Sequence, residues 1–220
     1  ELGLIAGAVM QAVDSRDWKA DELGRELAAA ARGRHVLAWS RHEAEQAGWV
    51  AAGIDGSLRE DSVLLAVLNR GGNKLDRFLR VGADLDLQRM GAVTRGVLTL
   101  TLRNQTPLGE PPYVAGPHPE IGAAEGEYVG LVAVSLPAGA RDARFQGHDA
   151  LAAAGADGPT RVVAVPAQVA RGEEVILIVR FELPYTGGSL RIEPTARVPG
   201  VAWSSGDDHW EDGGRHELRW

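Results

Sequence analysis

The stretch Val63-Leu64-Leu65-Ala66-Val67-Leu68-Asn69, continued by Arg70-Gly71-Gly72-Asn73 and then Lys74-Leu75-Asp76-Arg77-Phe78-Leu79-Arg80, decides how this chain is read. It reads as two strands joined by a tight turn. Gly71 and Gly72 can take positive φ without a Cβ clash, as hairpin turns demand, and Asn73 tolerates the same region. The hairpin divides a helical signal upstream from a period-two signal downstream.

Upstream, Ile5, Val9, Ala12 and Val13 recur at helical spacing, as do Leu23, Leu27, Ala30 and Ala31 after a cap expected at Asp21. Arg32-Gly33 stops the second helix. His35-Val36-Leu37-Ala38-Trp39 reads as a short buried strand, and Ser40 with Glu43 as a capping box opening a third helix through Trp49. Gly53-Ile54-Asp55-Gly56 ends it. Residues 1–58 are therefore expected to form a helical region with a small mixed sheet.

Downstream, Leu98, Leu100 and Leu102 alternate with Thr99, Thr101 and Arg103, and Val132, Val134 and Leu136 repeat the pattern before Pro137. The run from Val175 to Leu183 is apolar on nearly every residue, as a central strand would be. Further strands are predicted at Arg161 to Val165, Leu190 to Glu193 and Arg215 to Leu218. Strands separated by Gly and Pro turns, with no helical pattern between them, predict an immunoglobulin-like antiparallel β-sandwich over residues 59–220. The whole is an α+β chain. Gln105 to Glu127 forms a long Pro- and Gly-rich connection, of the kind that is functional or flexible, and Ala150 to Pro159 reads as a disordered hairpin tip.

With 220 residues and 45% hydrophobic content, the chain can bury one large core or two modest ones. Lys19 and Lys74 are the only lysines, and the bias to Arg, Ala, Gly and Val is that of a GC-rich coding sequence. The net charge of −7 argues against nucleic acid, because phosphate-backbone affinity needs a clustered basic surface. Arg70, Lys74, Arg77 and Arg80 are diluted by Asp76, Asp84 and Asp86. The absence of cysteine removes disulfides, thiolate nucleophiles and cysteine metal sites. No apolar run approaches the ~20 residues that cross a bilayer, so no membrane span is predicted. The chain opens on Glu1 without an initiator methionine, and an anchor or export signal is expected upstream.

The order of pieces carries a family resemblance: a helix pair, then Arg34-His35-Val36-Leu37-Ala38-Trp39-Ser40, Glu45-Gln46-Ala47, Gly53-Ile54-Asp55-Gly56, the segment Leu68-Asn69 to Asp76, and a sandwich containing Leu136-Pro137. This resembles the C-terminal portion of the bacterial family called domain of unknown function 4012, common in GC-rich Gram-positive bacteria. The resemblance runs to about Pro184 and is sharpest over Asn69-Arg70-Gly71-Gly72-Asn73-Lys74-Leu75-Asp76. It implies an extracytoplasmic cell-envelope location, held by an N-terminal membrane helix upstream of this sequence, more than it implies a reaction. The tail Val201 to Trp220 lies outside it.

Candidate ligand-binding residues are Asn69, Lys74, Asp76, Trp203 and Trp210. Lys74 and Asp76, two apart on a strand, would share a face and hold a hydroxyl or phosphate, or would pair with each other to fix the hairpin. Gly71-Gly72-Asn73-Lys74 lacks the Walker spacing of a phosphate loop. Trp39 and Trp49 are expected in the core. Trp203, Trp210 and Trp220 stand in a polar tail, as a platform for a sugar ring or packed over the sandwich edge. Asp207, Asp208, His209, Glu211, Asp212 and His216 match no metal-site spacing and read as a solvated acidic turn, so neither a metal nor a cofactor is expected. His118 between two prolines reads as a loop histidine, Ser40 as a cap, and Ser204 and Ser205 lack a nucleophile elbow. No catalytic residue can be assigned. The expected function is a non-enzymatic or accessory ectodomain binding surface polysaccharide or an envelope protein. The alternative is an envelope glycopolymer transferase or hydrolase whose active site lies largely upstream.

Overall fold

A computed structural model describes residues 2–15, 18–148, 150–185 and 187–220. The chain divides into two compact units, Glu1–Gly56 and Ser57–Trp220. It is a mixed α+β chain in which strands predominate.

The first unit holds α1 (Leu2–Ser15), α2 (Ala20–Arg32) and α3 (Glu43–Ala52). Lys19, not Asp21, occupies the cap of α2; Asp21 and Glu22 lie in its first turn, where they favour the helix dipole. Gly33 closes α2, and Gly53 closes α3 in the left-handed region at φ 70°. Ser40 is not a helix cap. Its hydroxyl accepts from the His42 N–H and donates to Glu45 at 2.6 Å, its own N–H reaches Gln46, and α3 begins at Glu43. The strand expected at His35–Trp39 is absent: the segment is irregular, and Trp39 is 78% exposed. Apolar content alone cannot make a strand without a neighbour to satisfy its backbone. Trp49 is likewise not in a core. No helix among the described residues is long and apolar enough to cross a membrane.

The second unit forms two six-stranded mixed sheets. Its strands are β1 (Ser62–Asn69), β2 (Leu79–Met90), β3 (Val93–Asn104), β4 (Tyr128–Pro137), β5 (Arg141–Phe145), β6 (Ala153–Asp157), β7 (Thr160–Val169), β8 (Glu174–Leu183), β9 (Ser189–Glu193), β10 (Val201–Ser205), β11 (Asp208–Glu211) and β12 (His216–Arg219). The first sheet has the order β12-β9-β1-β4-β7-β6 and the second β11-β10-β2-β3-β8-β5. Val63, Leu65, Val132, Val134, Val163 and Val165 from the first meet Leu79, Val81, Leu98, Leu100, Val179 and Phe181 from the second in one core. Each such side chain contributes about 1.5–3 kcal/mol by leaving water, so the alternation of apolar residues outweighs the surface ion pairs.

Three sequence expectations are corrected here. Residues 63–80 are not a hairpin: β1 lies in the first sheet and β2 in the second, and the chain crosses between them through residues 70–74 and a 3-10 turn at Leu75–Phe78. Only Gly72 of the two glycines takes positive φ, at 66°, and Leu75 is buried as the crossing enters the core. The sheets are mixed instead of purely antiparallel, because β9 runs parallel to β1 and β10 parallel to β2. Ala150 to Pro159 contains the exposed edge strand β6, paired antiparallel with β7.

The register places Gly96 of β3 opposite Phe181 of β8, where the aromatic ring lies across the glycine. A Cβ at Gly96 would come within 2.2 Å of that ring, and Phe181 is buried, so the ring has no space to withdraw into. Gly96→Ala is expected to destabilise the β unit by about 1–3 kcal/mol through overpacking. Urea unfolding followed by tryptophan fluorescence reads the change; an unshifted midpoint would contradict this packing.

Candidate functional site

Two crossings between the sheets run side by side. The first is residues 70–78, from β1 to β2; the second is residues 194–200, from β9 to β10, and each pair of flanking strands is parallel. Polar groups of the two crossings meet there. Asn69 donates from Nδ2 to Asp76 Oδ2 at 2.8 Å and to Asn73 Oδ1 at 3.0 Å, while its Oδ1 accepts the Gly71 N–H. Asp76 faces Arg197, whose guanidinium lies 3.9 Å from Oδ1 and donates to the carbonyl of Leu79 at 3.1 Å. The Arg197 side chain is 7% exposed.

Lys74 is not part of this group. It lies outside the strands, its side chain is exposed, and it makes no ion pair among the described residues, so the expected Lys74–Asp76 pair is replaced by Arg197–Asp76. The reason is local: residues 75–78 form a 3-10 turn, which removes the two-residue alternation that would have put 74 and 76 on one face. Arg197, Tyr128 and Asn73 were not singled out by sequence. Arg197 is 121 residues from Asp76, and no local pattern links them.

Tyr128, at the start of β4, is buried beside this pair, and among the described residues neither its hydroxyl nor Arg197 Nε has a partner at full hydrogen-bond geometry, though the hydroxyl lies within electrostatic reach of Asp76 and Arg197. Burial, reinforced by the Asp76 carboxylate, pushes the phenol well above its ordinary range.

The connection Gln105–Glu127 lies against the first crossing and is held by named bonds. It is ordered into α4 (Pro112–Ala115) and a 3-10 turn at Pro119–Ile121. The Lys74 N–H donates to the Val114 carbonyl at 2.9 Å, and Asn73 Nδ2 to the Glu127 carbonyl at 3.3 Å. Buried Asn104 ties the base together, donating to the carbonyls of Gly126 and Val169 and accepting from both the N–H and the hydroxyl of Thr106. Arg171 reaches Glu125 at 2.6 Å and the Pro107 carbonyl at 2.9 Å. His118 sits beside Gly72 with Nδ1 3.3 Å from Glu120, and its Nε2 is buried without a partner among the described residues. From this frame Leu108 (87% exposed), Tyr113 (71%) and Ile121 point to solvent.

The tryptophan tail does not form an exposed platform. Trp203 is 2% exposed and belongs to the core, paired across β10–β11 with Trp210, the rings parallel at 5.9 Å between centroids. His216 of β12 stacks on Trp210 at 3.9 Å and bonds Asp208 at 2.8 Å. Trp220 packs against Tyr185 and donates to the Thr94 hydroxyl. The aromatic bodies are drawn inward because they cover the sheet edges.

The acidic turn expected over residues 207–216 is partly a buried structural device. Asp212 is buried and accepts from the Thr195 N–H and hydroxyl and from the Val201 N–H, tying the β11–β12 turn to the second crossing. Burial raises its carboxyl above the usual range, opposed chiefly by the bonds from Thr195. No group of three or more potential metal ligands converges among the described residues. Chemically, the crossing cluster is a brace in which Asn69 bonds Asp76 and Asp76, half-exposed, faces Arg197, and the most exposed apolar and aromatic side chains beside it belong to the 105–127 connection.

Asp76→Ala should cost roughly 1–3 kcal/mol in denaturant unfolding, because it removes one hydrogen bond from Asn69 and the carboxylate that faces the buried Arg197 guanidinium. Lys74→Ala should leave the unfolding midpoint unchanged; the reverse order would refute the pairing. Asp212→Ala should cost about 2–4 kcal/mol by orphaning buried donors. A raised native carboxyl pKa means that the folded state holds a proton the unfolded chain has already released. The Asp212 contribution is thus greatest at acid pH and declines as pH rises through that raised value. The stability gap between the native chain and Asp212→Ala should narrow over the same pH rise, as measured by urea midpoints; a widening gap would contradict the assignment.

No protein-family model matches this sequence, and no curated protein does. Among solved structures, the chain is similar at 8% identity and a TM-score of 0.35 to the crystal structure of a proposed nutrient binding protein from Legionella pneumophila. The similarity covers 64% of this chain and 53% of that one, so the chain spans about half the length of that protein.

Proposed function

We propose that this chain is a non-enzymatic, accessory ectodomain of a bacterial cell-envelope protein, its immunoglobulin-like β unit presenting the 105–127 connection to surface polysaccharide. One observation carries the reading. The polar groups closest to a catalytic constellation, Asn69, Asp76 and Arg197, are engaged with one another, whereas Tyr113 and Leu108 are held out to solvent on a connection bonded at both ends. A braced loop with exposed aromatic and apolar groups suits binding, because little ordering entropy is lost when a ligand docks. The extracytoplasmic setting is part of the same proposal and is supported by the sequence resemblance to domain of unknown function 4012.

The test is isothermal titration of the purified chain with cell-wall polysaccharide fractions. Saturable binding is expected, weakened by about 1.4 kcal/mol, or tenfold, in Tyr113→Ala with an unchanged melting temperature. Trp203→Phe is expected to lower the melting temperature, as a core substitution does. Absence of binding to every fraction, or equal affinity for the Tyr113 variant, would overturn the proposal.

A further inference from the structure

We infer that the outer face of the second sheet carries an oxyanion-binding cleft, independent of the 105–127 connection. The cleft measures about 420 Å³ and is lined by Arg95 of β3, Asp142 and Arg144 of β5, and Arg180 and Glu182 of β8. This is within the usual range of small-ligand sites, about 300–1,000 Å³.

The charge arrangement is unusual for a sheet. Arg144 lies directly opposite Arg180 in the β5–β8 register, and like charges so placed destabilise the pairing. Neither guanidinium is neutralised by a carboxylate among the described residues: Arg180 Nε donates to the Gln146 amide oxygen at 2.8 Å, and Arg144 to the Asp142 carbonyl at 3.3 Å. Among the described residues only Arg95 of the three cleft arginines has an acidic partner, Glu182 at 3.3 Å. Each of the two facing guanidiniums therefore keeps spare N–H donors in the planar fork that matches a carboxylate or phosphate.

A β-bulge creates this opposition. Arg141 pairs with Glu182, yet Arg144 pairs with Arg180, so three steps on β5 span two on β8. In an unbroken register Ala143 would face Arg180, and Arg144 would fall opposite buried Val179. The extra residue is accommodated at Asp142, whose φ of 51° is in the left-handed region. Burial of Phe145 opposite Val179 accounts for the bulge itself. It does not account for arginine on both sides of the outer pair, since any polar residue opposite Arg180 would satisfy the fold. A bound oxyanion bridging Arg144 and Arg180 turns that repulsion into two charge-assisted hydrogen-bonded contacts.

The experiment is a titration of the full chain at low ionic strength, following arginine Nε–H signals by NMR, with inorganic phosphate in one arm, glucuronate in a second and neutral glucose as control. Saturable shifts with phosphate, glucuronate or both, and none with glucose, are expected, and the responding arm identifies the source of the oxyanion. Arg144→Gln or Arg180→Gln should weaken binding at least about tenfold. In oxyanion-free buffer Arg144→Gln should also raise the melting temperature by relieving repulsion, and added phosphate should erase that gain. Non-saturating shifts in both arms, or unchanged affinity in both variants, would overturn the inference.

Discussion

The Arg197 guanidinium, placed between the Asp76 side chain and the Leu79 carbonyl, is the interaction on which the arrangement of the β unit depends. It joins two crossings that carry the chain from one sheet to the other. The parallel ladders beside them are short, three residue pairs for β1–β9 and four for β2–β10. Parallel pairing is slightly weaker per residue than antiparallel, so ladders of this length need help to hold register. An ion pair at 3.9 Å whose carboxylate is half-open to solvent contributes little net stability. Its effect here is positional: with both crossings tied, β1 with β9 and β2 with β10 approach the core in step, and the leucines and valines supply the driving force.

From this lock the polar network extends in both directions. Asn69 and Asn73 carry it through the first crossing to the 105–127 connection, and Thr195 carries it from the second crossing to Asp212 in the β11–β12 turn. Beyond that turn, the Trp203–Trp210–His216 stack reaches from the second sheet to β12, the edge of the first. The C-terminal tail thus closes one side of the core. Trp203 is buried and Trp210 and Trp220 are half-buried, and the exposed tyrosine among the described residues of this unit is Tyr113, whose connection is bonded into the same network.

Local pattern made much of the fold legible. The alternation at Leu98, Leu100 and Leu102 and at Val132, Val134 and Leu136 yielded buried strand faces, and the helical spacing near Ile5 and Leu23 yielded α1 and α2. The site was legible only in part. Asn69 and Asp76 do meet, because they flank one turn in sequence, but Lys74 does not join them and Arg197 could not be foreseen. Trp203 and Trp210 were recognised as a pair of interest, while their burial depended on an edge that only the assembled sheets possess.

The sequence by itself determined where the long, strongly periodic strands and helices form, because side-chain periodicity and backbone preference act within a few residues. Tertiary structure alone decided which sheet each strand joined. The alternation in Val63–Asn69 and in Leu79–Leu85 would serve equally well for neighbours in one sheet or for partners on facing sheets, since either buries every second residue. The choice rested on contacts far apart in the chain: Arg197 with Asp76, and Asp212 with Thr195 and Val201. Those pairings exist only after the core has gathered the strands, which is why no reading of local pattern could supply them.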